Sequence, residues 1–598
     1  MSGQYQTISQ YFLSQAMGDA RNTAWRRKER GVWRSVSWGN ALQEVATLAG
    51  GLANNGLTRG DTAVIICDKS YHWVVANHAI QGLGAIVAPL IPDVSLQEAK
   101  DCLQQITPPK IVLTDDEETA RMVGNALAAS NLDVPIFVAK PNRVTPIGTD
   151  SAQPDSGQSA RGKPPFQLWP RVGKGNVESA IQSFREEAEL GQSDDLASII
   201  FQTGRTGSLG SVRLTHKDWL ENVAEFAQRL QLTGSDETIC TVAPAYAAAK
   251  MLYQVAAVVH GYCVNFPETP ETVLADMREI GPTQVLISPA GCKHIAVSSI
   301  AQMGSAGWMK RSLFEAAQRR FRRQIENSGT VALGGVWGAL GTALICKSIR
   351  EVLGLARVKS ALTFAMHPGT DAAAFFSSIG LDFKKLHDEK IDEAQGGLGV
   401  RISDFSFLET PSCDSEEIEV SLDERKRLTV NRDTEGALCT SAYIKRAVVV
   451  SSGKEDATAL IQLDTLASKD WADRQDVHYE SVDKLPLNSE VLQLIENEVR
   501  VRDSKNKRSV VGSSNRGSPR VGKFVLLRKD LDPDQGELTH LRTPNYQSVV
   551  KNYGSLLEAA EAAGNESGGL AGRHANSRRL FQLQDSCGVD YGGSQVVD

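Results

Sequence analysis

The chain is 598 residues long, with 41% hydrophobic and 23% charged residues, the composition of a water-soluble globular protein with room for several cores. Sixty-four basic residues face 71 acidic ones, a net charge of -7, which gives no electrostatic basis for binding nucleic acid. Nine cysteines are scattered without a C-x-x-C pair or a His/Cys cluster, which disfavours a disulfide framework or zinc site and fits a reducing, cytoplasmic compartment.

In chain order, residues 5–140 alternate helical and strand signals. The first residues are polar, which argues against a signal peptide. Ala41 to Leu57 has apolar residues at helical spacing, and Gly60-Asp61 then turns into a strand at Thr62–Cys67. A helix over Tyr71–Leu83 leads to a strand at Ala85–Leu90. This rhythm predicts a parallel sheet covered by helices. Residues 141–176, rich in Pro, Gly, Ser and Gln, read as a flexible surface insertion. The alternation resumes at Ser193 and runs to about residue 400. A smaller module follows the charged stretch 414–432 and carries a strand at Arg446–Val450. Residues 503–520 and the tail 563–598 read as disordered.

The most informative stretch is Phe201-Gln202-Thr203-Gly204-Arg205-Thr206-Gly207-Ser208-Leu209-Gly210-Ser211, directly after the apolar run 196–200. Three glycines three apart, with threonines between, let a backbone turn tightly and aim N–H groups and hydroxyls at a phosphate. The segment Thr330–Cys346 approaches the length needed to span a bilayer but contains four glycines. It reads as a buried helix or as an interfacial segment, the latter helped by the basic run at 319–323.

Several fragments, in order, resemble the adenylate-forming enzymes, and within them the long-chain fatty acyl-CoA synthetases. They include Gly51-Leu52 to Gly60-Asp61, Ala85 to Pro89, the stretch from Thr203 to Thr215-His216, and Gly281-Pro282-Thr283. Phe375-Phe376 to Gly380-Leu381, Glu424-Arg425-Lys426, Ala457 to Asp464 and Gly536-Glu537-Leu538-Thr539 follow. The resemblance implies an α/β fold: a large N-terminal domain of helix-covered sheets (residues 1–423) and a small, reduced C-terminal α+β lid (residues 424–562). It implies ATP and Mg²⁺ as reactants for forming an acyl-adenylate, with CoA then attacking to give a thioester. A fatty acid or acyl-CoA is the implied ligand, with a partner acyl-CoA synthetase and peripheral membrane contact through 319–346 as further options.

The same resemblance places the chemistry. Thr203, Gly204, Thr206 and Gly207 fall on the phosphate loop, but Gly210 stands at its lysine position and Arg205 intrudes at a small-residue position. His387 falls where a tyrosine stacks on adenine, and Ile391 where a glutamate holds the metal, with Asp392 and Glu393 nearby. Phe364 lies where a glycine lines the adenine pocket, and Ala247 where a P-L-x-H stretch has its histidine. The ribose aspartate has no counterpart. Arg425 matches the arginine near the hinge, whereas Thr543 replaces the lid lysine, one residue after Arg542. These positions imply a vestigial nucleotide site with no catalytic residue and no metal ligand. A working ligase built on Arg205, His387, Asp392 or Glu393, and Arg542 is the alternative.

Overall fold

Helix-covered sheets, as the alternation predicts, build most of the chain. The computed structural model describes residues 5–139, 166–171, 176–203, 209–269, 272–288, 291–296, 299, 347–364, 375–381, 383–386, 434–435, 438–439, 441, 443–450, 456–509, 520–527, 529–533, 535–538, 544–563 and 595–597. Two compact units result: residues 1–203, 209–286 and 353–359 form one, and 204–208, 287–352 and 360–598 the other.

The first unit begins with α1 (Ile8–Gly18), β1 (Thr23–Glu29), β2 (Val32–Ser37), α2 (Trp38–Asn54), β3 (Thr62–Ile66), α3 (Tyr71–Gly82) and β4 (Ile86–Pro89). Next come α4 (Leu96–Gln104), β5 (Ile111–Thr114), α5 (Glu117–Ala129), β6 (Ile136–Val138), β7 (Gln167–Leu168), α6 (Val177–Glu189), β8 (Leu196–Thr203), β9 (Leu209–Thr215) and α7 (His216–Leu230). After β10 (Glu237–Ile239), α8 (Ala247–Lys250) runs through a π-helical turn (Met251–Val255) into α9 (Ala256–His260). β11 (Cys263–Phe266), α10 (Val273–Ile280) and β12 (Gln284–Leu286) complete the unit.

One sheet has the order β7-β6-β5-β3-β4-β8-β9, parallel throughout except for the antiparallel β8–β9 pair. β3 is buried along its whole length, as expected of a parallel strand covered on both faces. In the second sheet β12, β10, β11 and β1 are parallel neighbours and β2 returns antiparallel to β1.

Three of the family-like fragments prove architectural. Thr215 caps α7 in a reciprocal capping box with Asp218, and the His216 ring accepts a hydrogen bond from the Ile8 amide at 3.2 Å. Gly281 ends α10 at φ +57°, and the Thr283 hydroxyl donates to buried Asp236 at 2.6 Å. Buried Glu537, after Gly536 (φ +70°), accepts from the Asp532 amide at 2.8 Å and the Asn552 amide at 3.0 Å.

The second unit contains a parallel pair, β13 (Ser360–Phe364) and β14 (Phe383–Leu386). Its larger sheet is built from β15 (Ile444–Val450), β16 (Asp456–Leu463), β17 (Arg520–Leu527) and β18 (Gln595–Val597), in that order. α11 (Thr465–Arg474), α12 (Ser489–Ser509) and α13 (Tyr546–Ala563) accompany it. Alternation sorts the strands: Ala447, Val449, Ala459, Ile461, Phe524 and Leu526 share a core with Val491 and Ile495 of α12. Val448, Leu460, Val525 and Leu527 pack on the opposite face against Val549 and Tyr553 of α13.

Three sequence expectations need correction. The presumed insertion 141–176 rejoins the sheet at 167–168, where β7 pairs with β6, because Trp169 is buried and donates its indole N–H to the Thr114 carbonyl at 3.2 Å. The presumed loop 503–520 is helical as far as Ser509, in a helix supported by Glu496–Arg500 and Glu498–Arg502 pairs one turn apart. The presumed disordered tail contributes β18, which pairs antiparallel with β17 and satisfies backbone groups that an open edge would leave bare. Six cysteines among the described residues are unpaired, and Cys67, Cys102, Cys240, Cys263 and Cys292 are buried.

Candidate functional site

β8 and β9 form a hairpin whose rungs run from Leu196–Thr215 up to Gln202–Gly210 and Thr203–Leu209. Thr203 therefore ends one strand of the hairpin, and Leu209 opens the other. Gly210 sits on β9, where the backbone is extended and sheet-bonded and no side chain is present to supply charge. The Gln105 amide donates to the Leu209 carbonyl at 2.9 Å, fixing the start of β9. Gly204, Arg205, Thr206, Gly207, His387, Ile391, Asp392, Glu393, Arg425, Arg542 and Thr543 lie outside the described residues, as does 319–346. Ala247 opens α8 and is buried, and Phe364 ends β13.

The base of β8 is held by two polar contacts. The Gln81 side-chain amide donates to the Ala197 carbonyl at 3.0 Å, and the Trp219 indole donates to the Ser198 hydroxyl at 2.8 Å. Behind them lies a residue that sequence reading missed, Lys250. It is completely buried, donates to Asn77 Oδ1 at 3.0 Å, and lies 5.4 Å from the Trp219 ring centroid and 5.7 Å from that of Trp73. A cation over indole faces is attracted by the ring quadrupole. The surrounding polar chain continues from Asn77 to Gln81 (2.9 Å) and from Gln254 to the same Gln81 oxygen (3.1 Å). Burial pulls the Lys250 pKa down to about 7. Burial, then the neighbouring Lys250, lowers His78 to about 3 and His216 to about 4, with Asp195 opposing the shift at His216. The available signal was a single lysine inside the apolar run Ala247–Val259.

A cavity of about 190 Å³ opens at the carboxyl ends of β1, β3 and β11, between Arg27, Lys28, Lys69, Tyr71, His72 and Glu268. That is where open α/β sheets bind ligands. Its cations are already engaged: Lys69 with Asp68 at 2.8 Å, Lys28 with Asp276 and Glu279 at 2.7 Å each, and Arg27 over the Tyr71 ring. Among the described residues no group of three or more His, Cys, Asp and Glu forms a metal site, and no helix among them is long and apolar enough to cross a membrane.

The fold is that of the adenylate-forming domains. The A domain of the carboxylic acid reductase from Segniliparus rugosus, solved with AMP, is similar over 94% of this chain and 95% of its own (TM-score 0.59, 14% identity). The A domain of a carboxylate reductase from Mycobacterium chelonae is similar over 94% and 92% (TM-score 0.56, 14% identity). In sequence, the long-chain-fatty-acid–CoA ligase FadD15 of Mycobacterium bovis is 21% identical over 625 aligned positions, covering 93% of this chain and 97% of its own. Long chain acyl-CoA synthetase 8 of Arabidopsis thaliana is 21% identical over 337 positions, 54% of this chain and 44% of its own. The family model described as AMP-binding enzyme matches residues 13–380, more than half of the chain, and the chain belongs to that family.

Proposed function

We propose that this protein keeps the scaffold of a fatty acyl-CoA ligase but has lost most or all of the ATP-dependent reaction, and that it acts in fatty-acid metabolism by binding. Gly210 carries the reading. Attack of a carboxylate on the α-phosphorus of ATP develops negative charge on the phosphate oxygens, and a fixed cation at the loop is what stabilises it. Gly210 has no side chain to do so, and it sits on a paired strand opposite Gln202. Removing one such contact typically costs about a hundred- to a thousandfold in rate. Ile391 and Thr543, at the metal-carboxylate and lid-lysine positions of the resemblance, compound the loss.

The bound species on this reading is a fatty acid or acyl-CoA, with a catalytically competent acyl-CoA synthetase as a possible protein partner, and residues 424–562 form a reduced lid. ATP and Mg²⁺ are reactants only if activity persists. The test is pyrophosphate release from palmitate, ATP, Mg²⁺ and CoA, with palmitoyl-CoA titrated calorimetrically in parallel. Turnover roughly a thousandfold or more below an active synthetase, together with saturable palmitoyl-CoA binding that needs no ATP, supports the proposal. Turnover comparable to that enzyme overturns it in favour of a ligase working through Arg205, His387, Asp392 or Glu393, and Arg542.

A further inference from the structure

Lys250 is an unusual occupant of a protein core. Lysine is almost never fully buried unless it is paired with a carboxylate, and among the described residues Lys250 makes no ion pair. One of its three possible donor positions is used, toward Asn77. Nearby polar atoms are also unmatched among the described residues: both ring nitrogens of fully buried His78, the Gln254 Oε1 and the Trp73 indole N–H. The backbone departs from regularity at the same place, because the α-helix gives way to a π turn at Met251, the residue after Lys250. Such turns are rare and cluster at functional positions.

The connections of this pocket run to β8. Trp219, on one side of the amine, donates to Ser198, and Gln81, two hydrogen bonds from it, donates to Ala197. β8 ends at Thr203, where the glycine-rich segment begins. The titratable groups on which the Lys250 charge acts are His78 on α3 and His216 at the start of α7, with Asp195 and Arg59 also acting on His216. None of them supplies a buried negative charge to Lys250.

We propose that Lys250 is a proton-operated latch: uncharged, it lets α3, α7 and the π turn close on β8, and proton uptake by its amine favours an opened arrangement in which the ammonium reaches water. Only one proton moves, from solvent to the amine nitrogen, and no bond other than N–H forms. The closed state disfavours the charged form because two of its donor positions have no hydrogen-bond partner among the described residues, and the open state restores their solvation. This inference does not depend on whether ligase activity survives.

The energetic signature follows from linkage. In the open state the amine titrates near the ordinary lysine value of about 10.4, and in the closed state near 7. The opening equilibrium therefore rises about tenfold for each pH unit lowered between roughly 10 and 7, then levels off below 7. Both histidines, at about 3 and about 4 when closed and near the ordinary 6.5 when exposed, respond only below about 6.5 and so stay out of that window.

Hydrogen exchange of peptides covering 196–203, corrected for intrinsic rates, tests the proposal on the full chain between pH 5.5 and 9. The expected result is an opening constant about fiftyfold larger at pH 7 than at pH 9, levelling off just below 7, and independent of pH above about 6.5 in Lys250→Met. Asn77→Asp places a carboxylate beside the amine and should move the plateau upward by more than one pH unit. That variant keeps the test informative should Lys250→Met fail to fold. Equal pH dependence in Lys250→Met and the parent, or no pH dependence in the parent, overturns the proposal. So does an Asn77→Asp protein whose plateau stays in place.

Discussion

Phe184 of α6 lies so close over Gly82 of α3 that a methyl group built on the glycine would stand 1.9 Å from the edge of the aromatic ring. Both residues are buried, so the ring has little room to withdraw. Gly82→Ala should therefore destabilise the first unit by about 1–3 kcal/mol through overpacking. Denaturant unfolding followed by tryptophan fluorescence measures the loss, and a midpoint equal to that of the parent would contradict the contact.

Acid should weaken the first unit through His78 and His216. Burial holds their folded-state values near 3 and near 4, below the ordinary 6.5. The unfolded chain therefore takes up these protons first, and stability declines as pH falls from about 6.5 toward those values. Each histidine contributes a slope of about 1.4 kcal/mol per pH unit within its own window. Thermal melts from pH 7.5 to 4.5 should show the decline, and His78→Gln should flatten part of it. Melting temperatures that rise with acidification would refute the assignment.

Lys28 is the positive centre of a small network, 2.7 Å from Asp276 and 2.7 Å from Glu279. Asp276 is wholly buried, but it also accepts from the Thr272 hydroxyl at 2.8 Å and the Glu268 amide at 3.1 Å. Lys28→Met should cost about 2 kcal/mol, below the usual penalty for stranding a buried charge because those two donors remain. Adding Asp276→Leu should recover much of the loss. Chemical denaturation of the two variants decides between this coupling and independent effects.

Gly210→Lys should restore a cation to the hairpin. The glycine lies within β9 and is not among the residues of positive φ, so a side chain is compatible with its backbone. A charged hydrogen bond contributes about 1.5–3 kcal/mol, so affinity for ATP–Mg²⁺ should rise about tenfold or more. Calorimetric titration of parent and variant measures it. Equal affinities would show that residue 210 does not face the phosphates.

Scaffold was far more legible from sequence than site, for a physical reason. Strands such as Thr62–Ile66 and helices such as Tyr71–Gly82 announce themselves through apolar spacing and flanking turns, because local pattern and burial agree there. Gly281-Pro282-Thr283 and Gly536-Glu537 stood out as fragments for a related reason: each fills a geometric role in a turn or cap. Trp169 and β18 were misread because their surroundings are polar in composition while their partners lie far off in sequence, on β6 and β17. Lys250 was overlooked because a lone basic residue in a run of alanines carries no periodicity, and its setting is made by α3 and α7 across the core. Of the residues aligned with the adenylate chemistry, Gly210, Ala247 and Phe364 take ordinary places in a strand, a helix and a strand end, where local pattern carries no mark of chemistry.

The buried free thiols carry a consequence for handling the protein. Burial pushes Cys263 up to about 12 and raises Cys67 and Cys102 well beyond the ordinary range, so the reactive thiolate is scarce while the layers stay shut. Alkylation at these sulfurs then counts transient excursions of the interior, sulfur by sulfur. With Cys102 on α4, Cys240 just after β10 and Cys263 on β11, a timed iodoacetamide pulse read by mass spectrometry acts as a built-in clock for each layer.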